Sequence, residues 1–287
     1  MTSAAPAAGA TDPGEALERA EAALEALVGV VDELASRRPV AARLVTMTGD
    51  SSVGSAELAA VLVGDVALTA RVTRLANSTF YGLSGRVRTV PFAVTVVGFA
   101  AVRAMAATAA AGADTGGLLP EDAWARSEAA AVASSELAPL FGVPGPDAFC
   151  LGLLAGLGRA VLAHHDPAGY RALLDDDDVR RGGRRGLLSA ERAAFGVAHT
   201  QVSAAALSAW RFPREMPEAL HLVDAPAASG ARSTPWSRCL ATALEAVERS
   251  ASPGADQQAA PLLSAGAVDE ARLDAVAARL TRSAPAS

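Results

Sequence analysis

The 287-residue chain contains no lysine, no isoleucine, a single asparagine, two cysteines and only 4% aromatic residues. The absence of lysine excludes chemistry that needs a lysine amine, including Schiff bases with pyridoxal phosphate. Cys150 and Cys239 stand far apart and form no C-x-x-C pair, which argues against a disulfide framework and a cysteine zinc site. We therefore expect two reduced thiols in a cytoplasmic protein.

The chain also lacks a strong charge imbalance and a targeting segment. Its net charge of −6 gives no positive field that would draw it to nucleic acid or an anionic membrane. Residues 1–13 are rich in Ala, Pro and Gly, are predicted to be disordered, and do not read as a secretory signal. The apolar run 92–113 carries Arg103 near its middle, where an arginine costs about 2.5–3.5 kcal/mol on membrane insertion. We predict a buried soluble helix pair there and no membrane span.

What the chain has in abundance is small apolar residues at helical spacing, and no period-2 strand pattern interrupts them. The predicted class is therefore all-α. Helix boundaries follow from prolines, glycines and capping residues, with Ser55, Asp65 and Ser189 as predicted N-caps. The predicted helices cover 15–35, 39–47, 55–64, 65–77, 89–97, 99–111, 124–142, 147–165, 189–196, 199–210, 217–223, 236–250 and 269–280.

Three segments between these helices are predicted to be loops: 112–122, 175–185 and 225–235. The segment 175–185 reads DDDDVRRGGRR, and its opposite charges can satisfy each other in an exposed loop. It lacks the alternating ligands, central glycine and closing glutamate of a calcium-binding loop.

The only asparagine, Asn77, falls at the end of the 65–77 helix. Asparagine tolerates the left-handed conformation that ends many helices, which is one interpretation of its presence. The other interpretation is that its amide bonds a neighbouring segment of the chain.

The stretch GDVALTARVTRLANSTFYGLSGRVRTVPFAVTVVGFAAVR resembles the signature of the HDOD family, the HD-related output domains. The matching residues are Asp65, Leu68, Leu75, Ala76, Asn77, Ser78, Tyr81, Gly82, Gly98 and Phe99, with Val66 in place of the usual proline. Later landmarks also agree, namely Trp124, Ser127, 152–154, Glu191, Gly196, His199, Trp210 and Pro213.

The resemblance covers roughly residues 35–223 and implies a helical fold related to metal-dependent HD phosphohydrolases. It divides the domain into an N-terminal helical part, 35–111, and an HD-like part, 118–223. Residues 1–34 are then a tail with an amphipathic helix, which either docks on the domain or serves self-association into a homo-oligomer. Residues 224–287 form a C-terminal helical extension and tail.

The resemblance also indicates where a hydrolase would hold its metal. The hydrolase segment G-L-L-H-D-[IL]-G-K reads GLLAGLGR here, so Ala155 and Gly156 replace its histidine and aspartate. At the position of the hydrolase's upstream histidine this chain has Arg126, which has no lone pair to donate to a metal. His199 and His221 remain, and two ligands rarely hold a catalytic metal. The literal His-Asp at 164–166 lies at a helix end and is not expected to bind metal. We predict no catalytic residue, no metal and no cofactor.

These observations predict a non-catalytic bacterial signalling or regulatory domain that acts as a scaffold for a signalling protein partner. The alternative is a sensor that binds a nucleotide or another small phosphorylated ligand, because guanidinium grips phosphate bidentately. A metal-dependent phosphohydrolase is disfavoured. Candidate binding residues are Asn77, Phe80 and Tyr81 at one helix end, and Arg126, His199 and His221 in the vestigial pocket. Predicted structural residues of the family motif are Asp65, Ser78, Gly82, Trp124 and Trp210.

Overall fold

The computed structural model describes residues 13–49, 52–83, 85–113, 118–120, 122–224, 233–251 and 257–283. All regular structure in these ranges is helical, which confirms the all-α class. The predicted disordered tail lies outside the described residues, apart from Pro13, as does most of the predicted 225–235 loop.

The described residues form seventeen helices. In chain order they are α1 (Pro13–Ser36), α2 (Pro39–Met47), α3 (Ser55–Leu62), α4 (Val66–Ala76), α5 (Val90–Val97), α6 (Phe99–Ala110), α7 (Ala123–Phe141), α8 (Gly145–Leu154), α9 (Leu157–His165), α10 (Pro167–Asp175), α11 (Asp177–Arg181), α12 (Gly183–Phe195), α13 (His199–Ala209), α14 (Glu215–Leu222), α15 (Pro235–Ala251), α16 (Ala260–Ser264) and α17 (Glu270–Ser283).

The main core is one cluster of buried apolar side chains that runs from Leu27 on α1 to Leu240 on α15. Helix α6 lies inside it, and every residue from Ala104 to Ala110 is buried. Helices α2 and α8 pack on α6, where small alanine side chains permit close approach. The amphipathic helix α1 docks on this core through Leu27 and Val31, which is one of the two roles that its sequence left open.

Two apolar segments are long enough to cross a membrane by length and composition. One is α5 with α6, which is bent by 103° at the break between them. The other is Gly145–His165, and 78% of its most apolar window is buried inside the fold. Such burial is typical of core helices.

The predicted 147–165 helix is in fact two helices, α8 and α9, that break at Ala155 and Gly156. The Ser203 hydroxyl accepts the Gly158 N–H at 2.8 Å and donates to the Ala155 carbonyl at 3.1 Å. A side chain of α13 therefore occupies backbone groups that flank the break. Gly156 disfavours a continuous helix only weakly, and the side chain that bonds the break lies 45 residues or more along the chain.

The predicted loop at 175–185 is wrong, because it contains α11 and the start of α12. The Asp176 carboxylate accepts the N–H groups of Asp178 and Val179 at 2.7 and 3.1 Å, so it caps α11. Arg180 and Arg181 pair with Asp177 and Asp178 one turn away. The charge run thus satisfies its own helix ends, and its charged side chains remain exposed as predicted, apart from the mostly buried Arg184.

Three smaller helix-start predictions also need correction. Ser55 is the first residue of α3 rather than its cap, since Gly54 holds the cap position. Ser189 lies inside α12, and Pro217 is the third residue of α14. By contrast, the Asp65 carboxylate accepts the Leu68 N–H at 2.9 Å, as predicted for the start of α4.

A second, smaller core joins the C-terminal helices to α7. It contains Ala133 and Leu137 of α7, Cys239 and Ala243 of α15, and Leu273 of α17, all of them buried. The C-terminal extension therefore shares a core with the HD-like part and places α15 beside the residues of the candidate site.

Candidate functional site: an arginine-lined cleft

A cleft of about 360 Å³ opens where the α8–α9 break faces α7, α12 and α15. Ala155 and Gly156 line it, so the cleft contains the positions where the resemblance places the hydrolase metal ligands. Apolar side chains from five parts of the chain also line it, including Leu119, Trp124, Leu174, Leu187, Leu244 and Val247. Its volume lies at the low end of the range for small-molecule sites.

The structure brings two of the three predicted pocket residues together. Arg126 and His199 both line the cleft. His221 is exposed on α14 and is not among the lining residues, so its predicted place in the pocket is wrong. Helix α14 turns Met216, Ala219 and Leu220 to the core, which directs His221 away from it.

Four arginines and two carboxylates supply the formal charge of the cleft: Arg126, Arg159, Arg180, Arg184, Asp122 and Glu248. Arg126 is ion-paired with Glu248 of α15, and neither side chain is more than 27% exposed. Glu248 also accepts the backbone N–H of Arg184 at 3.3 Å. The Arg184 guanidinium pairs with Asp224, whose other oxygen accepts the Thr200 hydroxyl. Two of the four arginines are therefore already engaged by buried or half-buried carboxylates.

Arg159 differs from the other cleft arginines. Burial alone would lower the pKa of its guanidinium, but neighbouring Tyr170 and Glu191 outweigh burial and raise the pKa. Its Nε is buried and has no hydrogen-bond partner. The Trp124 Nε1, on another residue that lines the cleft, is buried and unpartnered as well. Both groups can only donate, so a hydrogen-bond acceptor is the partner that each of them lacks.

His199 is held from behind by a buried carboxylate. Glu191 is fully buried, and its Oε2 accepts the His199 backbone N–H at 2.9 Å and lies 2.7 Å from the imidazole Nδ1. The Tyr170 hydroxyl donates to the other oxygen at 2.7 Å. Burial alone would raise the pKa of the Glu191 carboxyl, but the bonds from His199 and Tyr170 outweigh it and lower the pKa.

An ionised Glu191 only accepts hydrogen bonds, so Nδ1 of His199 donates to it. A carboxylate behind an imidazole is the arrangement that orients metal-binding histidines. Here it orients a single imidazole. Among the residues that the structure describes, no three His, Cys, Asp or Glu side chains converge as a metal site. Ala155 and Gly156 have no side-chain donor atom, and Arg126 contributes a positive charge.

The literal His-Asp sequence at 164–166 serves the fold. His164 Nε2 lies 3.3 Å from the Gly112 carbonyl, and the Asp166 carboxylate accepts the Gly169 N–H at 2.9 Å to cap α10. Both cysteines are buried, and burial is the main cause that raises the pKa of each thiol to about 12. Neither is a reactive thiol at neutral pH.

The other predicted group, at the end of α4, lies outside this cleft. The Asn77 amide donates to the Val87 carbonyl at 2.8 Å and to the Thr73 carbonyl at 3.1 Å, and its oxygen accepts the Val87 N–H at 3.0 Å. Its φ is −92°, so the left-handed interpretation is wrong and the amide clamp is what the structure has. The clamp joins α4 to the segment that enters α5.

Phe80 and Tyr81 pack edge to face at 4.8 Å, and Phe80 also stacks on Phe149 of α8 at 5.3 Å. The Tyr81 hydroxyl lies 3.4 Å from the Val97 carbonyl, and burial raises its pKa to about 12. Phe80 keeps 40% of its surface exposed. Of the three residues proposed to bind a partner here, Phe80 offers the largest free surface, while Asn77 and Tyr81 hold the local fold.

Trp124, Trp210 and Gly82 of the motif have structural roles, while the Ser78 hydroxyl makes no hydrogen bond. The Arg71 guanidinium lies 4.7 Å from the centre of the Trp124 ring, and Arg103 donates to the Trp210 carbonyl at 2.8 Å. Gly82 has a φ of +66°, a conformation that glycine adopts without steric cost. Ser78 has a buried hydroxyl without a partner.

Comparison with known proteins identifies the family. The model of the HDOD domain matches residues 34–226, which is most of the chain. This chain is a member of the HDOD family. No curated protein matches it significantly.

Solved structures share the HDOD fold. A candidate signal transduction protein from Marinobacter aquaeolei VT8 is 24% identical with a TM-score of 0.65, and the match covers 85% of this chain. This chain spans only 56% of that protein. A candidate phosphohydrolase from Shewanella amazonensis SB2B is 24% identical with a TM-score of 0.63, covering 90% of this chain and 93% of that one. An HDOD domain protein of unknown function from Geobacter sulfurreducens is 19% identical with a TM-score of 0.56, covering 90% and 95%.

Sequence reasoning missed five charged residues of the HDOD cleft: Asp122, Arg159, Arg180, Arg184 and Glu248. Arg159 ends the GLLAGLGR segment and so was open to discovery from the motif. Glu248 lies on α15, beyond the residues that the family model matches, and no local pattern connects it to Arg126. Its role depends on the packing of α15 on α7.

Proposed function

We propose that this HDOD domain is a non-catalytic regulatory module of bacterial signalling that works in the cytoplasm by binding a protein partner. The observation that carries the proposal is the composition of the cleft. Where a related hydrolase needs an imidazole and a carboxylate, this chain places the methyl group of Ala155 and the bare backbone of Gly156. Arg126 adds a cation that repels a metal ion.

The names of two similar proteins point to two different roles for this fold. One is named as a candidate signal transduction protein and the other as a candidate phosphohydrolase. A fold that serves both kinds of protein permits a regulatory member without catalysis, because function resides in the site and not in the fold. Membrane insertion and nucleic-acid binding form no part of the proposal, since net charge is −6 and the apolar segments are core helices.

The non-catalytic half of the proposal is tested by metal analysis and a phosphodiesterase assay. Protein purified without chelators should carry no stoichiometric iron, manganese or zinc. It should not hydrolyse bis(p-nitrophenyl) phosphate when any of these ions is added. Stoichiometric metal that is lost in His199→Ala would overturn this half of the proposal.

The partner-binding half is tested at Phe80, which is 40% exposed at the end of α4. Tagged wild-type protein should recover a defined partner from extracts of the native cell, and Phe80→Ala should recover at least about fivefold less. Leu262→Ala is the matched control, because Leu262 is 58% exposed on the distant helix α16. Equal recovery by all three proteins would place the partner on another face.

A second candidate function, sensing of a small phosphorylated ligand, is favoured by the arginines of the cleft. Four guanidiniums line the cleft, and three of them, on Arg126, Arg180 and Arg184, pair with Glu248, Asp177 and Asp224, anions for which a phosphate would substitute. A ligand at 100 times its dissociation constant should add about 2.7 kcal/mol to the free energy of unfolding. A thermal-shift series with nucleotides measures this, and an unchanged shift in Arg126→Ala would exclude the cleft.

A further inference from the structure

We propose that the cleft binds a phosphate monoester at Arg159, Trp124 and Arg126, and that Glu248 of α15 is the internal anion that this phosphate displaces. The inference rests on the second candidate function and adds to it the contacting groups and a link to the C-terminal helices. Its parts are the two unpartnered donors, the Arg126–Glu248 pair and the position of α15.

The unpartnered donors define the chemistry of the ligand. The Arg159 Nε–H and the Trp124 Nε1–H belong to residues that line the cleft, and both are buried without an acceptor. A buried donor without a partner costs about 1–3 kcal/mol, so an acceptor that reaches it is stabilised. Phosphate oxygens accept several such bonds at once, and a guanidinium binds two of them in parallel. The apolar residues around these donors suit the rest of a small phosphorylated molecule.

Glu248 imitates such an anion in the free protein. One of its oxygens pairs with the Arg126 guanidinium and the other accepts the Arg184 backbone N–H. A carboxylate that bridges a guanidinium and a backbone amide makes the contacts that a phosphate oxygen makes. The Glu248 side chain is only 14% exposed, so little water competes with its ion pair to Arg126. A phosphate that binds Arg126 therefore has to displace Glu248.

The movement of Glu248 connects the cleft to α15. Leu244 and Val247 of α15 line the cleft together with Glu248, while Cys239 and Ala243 on the same helix belong to the second core with α7 and α17. Displacement of Glu248 therefore acts on a helix that is shared between the cleft and the C-terminal extension. In this arrangement the ligand regulates the packing of α15–α17 against the HDOD core.

Titration calorimetry with AMP, inorganic phosphate and adenosine tests the proposal in the full-length chain. We expect AMP and phosphate to bind and adenosine, which lacks the phosphate, not to bind. Equal affinities for AMP and phosphate would show that the phosphate alone is recognised. Tighter binding of AMP would show that the apolar side chains hold the nucleoside. Binding of adenosine as tightly as AMP, or no binding of AMP and phosphate to either wild type or Glu248→Gln, would overturn the site.

The displacement step is tested by Glu248→Gln, which keeps the shape of the side chain and removes the internal anion. It should bind AMP at least about tenfold more tightly than wild type. Glu33→Gln removes an exposed carboxylate of α1 outside the cleft lining and controls for a general change of charge, with less than about twofold effect expected. If the two variants bind AMP equally, or Glu248→Gln binds no more tightly than wild type, displacement is wrong while the sensing function stands.

The donors are tested by Arg159→Gln and by Trp124→Phe, which removes the indole N–H and keeps an aromatic ring. Each variant should weaken AMP binding at least about fivefold. If Arg159→Gln does not fold, the affinity of Trp124→Phe alone tests the donors. Trp236→Phe, the same change at the start of α15 and outside the cleft lining, should bind as wild type. Hydrogen exchange completes the test: AMP should change exchange in residues 235–251, and an unchanged α15 would overturn the link to the extension.

Discussion

At the scale of single residues, Asn77 and Glu191 show how one polar side chain fixes the position of a segment. The Asn77 amide satisfies both the N–H and the C=O of Val87, a buried residue of the connection between α4 and α5. Glu191 satisfies the first backbone N–H and the ring of His199 together with the Tyr170 hydroxyl. In both cases the side chain replaces hydrogen bonds that regular structure would otherwise supply.

Asn77→Ala should lower the free energy of unfolding by about 2–4 kcal/mol, because the Val87 N–H and C=O lose their partners in a buried setting. The stability of Asn77→Asp should fall between those of the wild type and Asn77→Ala, since a carboxylate still accepts the Val87 N–H but repels the Val87 carbonyl. Urea denaturation measures these differences. Thr95→Ala, which removes an exposed hydroxyl bond within α5, is the control and should cost less than about 0.5 kcal/mol. A loss of the same size in Thr95→Ala and Asn77→Ala would contradict the clamp.

Glu191 predicts a specific pH dependence of stability. Its carboxyl pKa in the folded protein is below the ordinary value of about 4.3, so the unfolded chain takes up the proton first as pH falls. The stabilisation is complete above about pH 4.3 and is lost as pH falls through the lower folded pKa. Glu191→Gln should lose about 2–3 kcal/mol at pH 7 and less at pH 3, measured by urea denaturation at each pH. A loss that is equal at both pH values would show that the charge of Glu191 contributes nothing.

At the scale of the helix, two glycines fix the crossing of the helices that build the cleft. A Cβ on Gly152 of α8 would collide with the Ala130 carbonyl of α7, and a Cβ on Gly158 of α9 would collide with the His199 carbonyl of α13. The α7–α8 and α9–α13 contacts are therefore backbone to backbone on either side of the α8–α9 break. Such close approach explains glycines in helices that alanine would otherwise favour.

Whether a glycine-to-alanine change stabilises or destabilises the fold should depend on how closely a neighbouring backbone approaches the glycine. Gly152→Ala should destabilise the fold by about 1–3 kcal/mol, because the backbone of α7 cannot yield without moving the helix. Gly29→Ala, in an exposed position of α1 with no atom within 4 Å of its Cβ, should instead stabilise by about 0.5–1 kcal/mol. Thermal unfolding of both variants measures the difference. Stabilisation by Gly152→Ala would show that the crossing is not tight.

Prediction from sequence succeeded where the cause of an element is local. Helix α2 was predicted at its exact bounds of 39–47, because Pro39 at its start and the glycine after its end are local signals. The Asp65 cap succeeded for the same reason. The α8–α9 break and the Arg126–Glu248 pair could not be found, because Ser203 and Glu248 come from distant parts of the chain. The loop predicted at 175–185 is wrong because a run of charges does not by itself indicate irregular structure, and Asp176 is a helix cap.

At the scale of the whole molecule, the C-terminal extension is part of the folded unit although the family model ends at residue 226. Helix α15 contributes Leu240 to the main core and Cys239 and Ala243 to the second core. It also contributes Glu248 to the cleft, and Arg279 of α17 pairs with Glu136 of α7. The HDOD core of this protein thus has one of its faces covered by helices that lie beyond the residues matched by the family model.

Removal of residues 233–287 should therefore destabilise the protein by more than about 3 kcal/mol, since Leu137 and its alanine neighbours on α7 lose the apolar side chains that cover them. The truncated chain should bind the dye ANS and unfold at lower urea concentration than the full chain. A shorter truncation after residue 266 removes α17 with Leu273 and Val276, and its loss should be smaller because α15 still covers α7. If the chain that ends at residue 232 unfolds at the same urea concentration as the full chain, the extension is an independent appendage. The link from the cleft through Glu248 to α15–α17 would then have no mechanical basis.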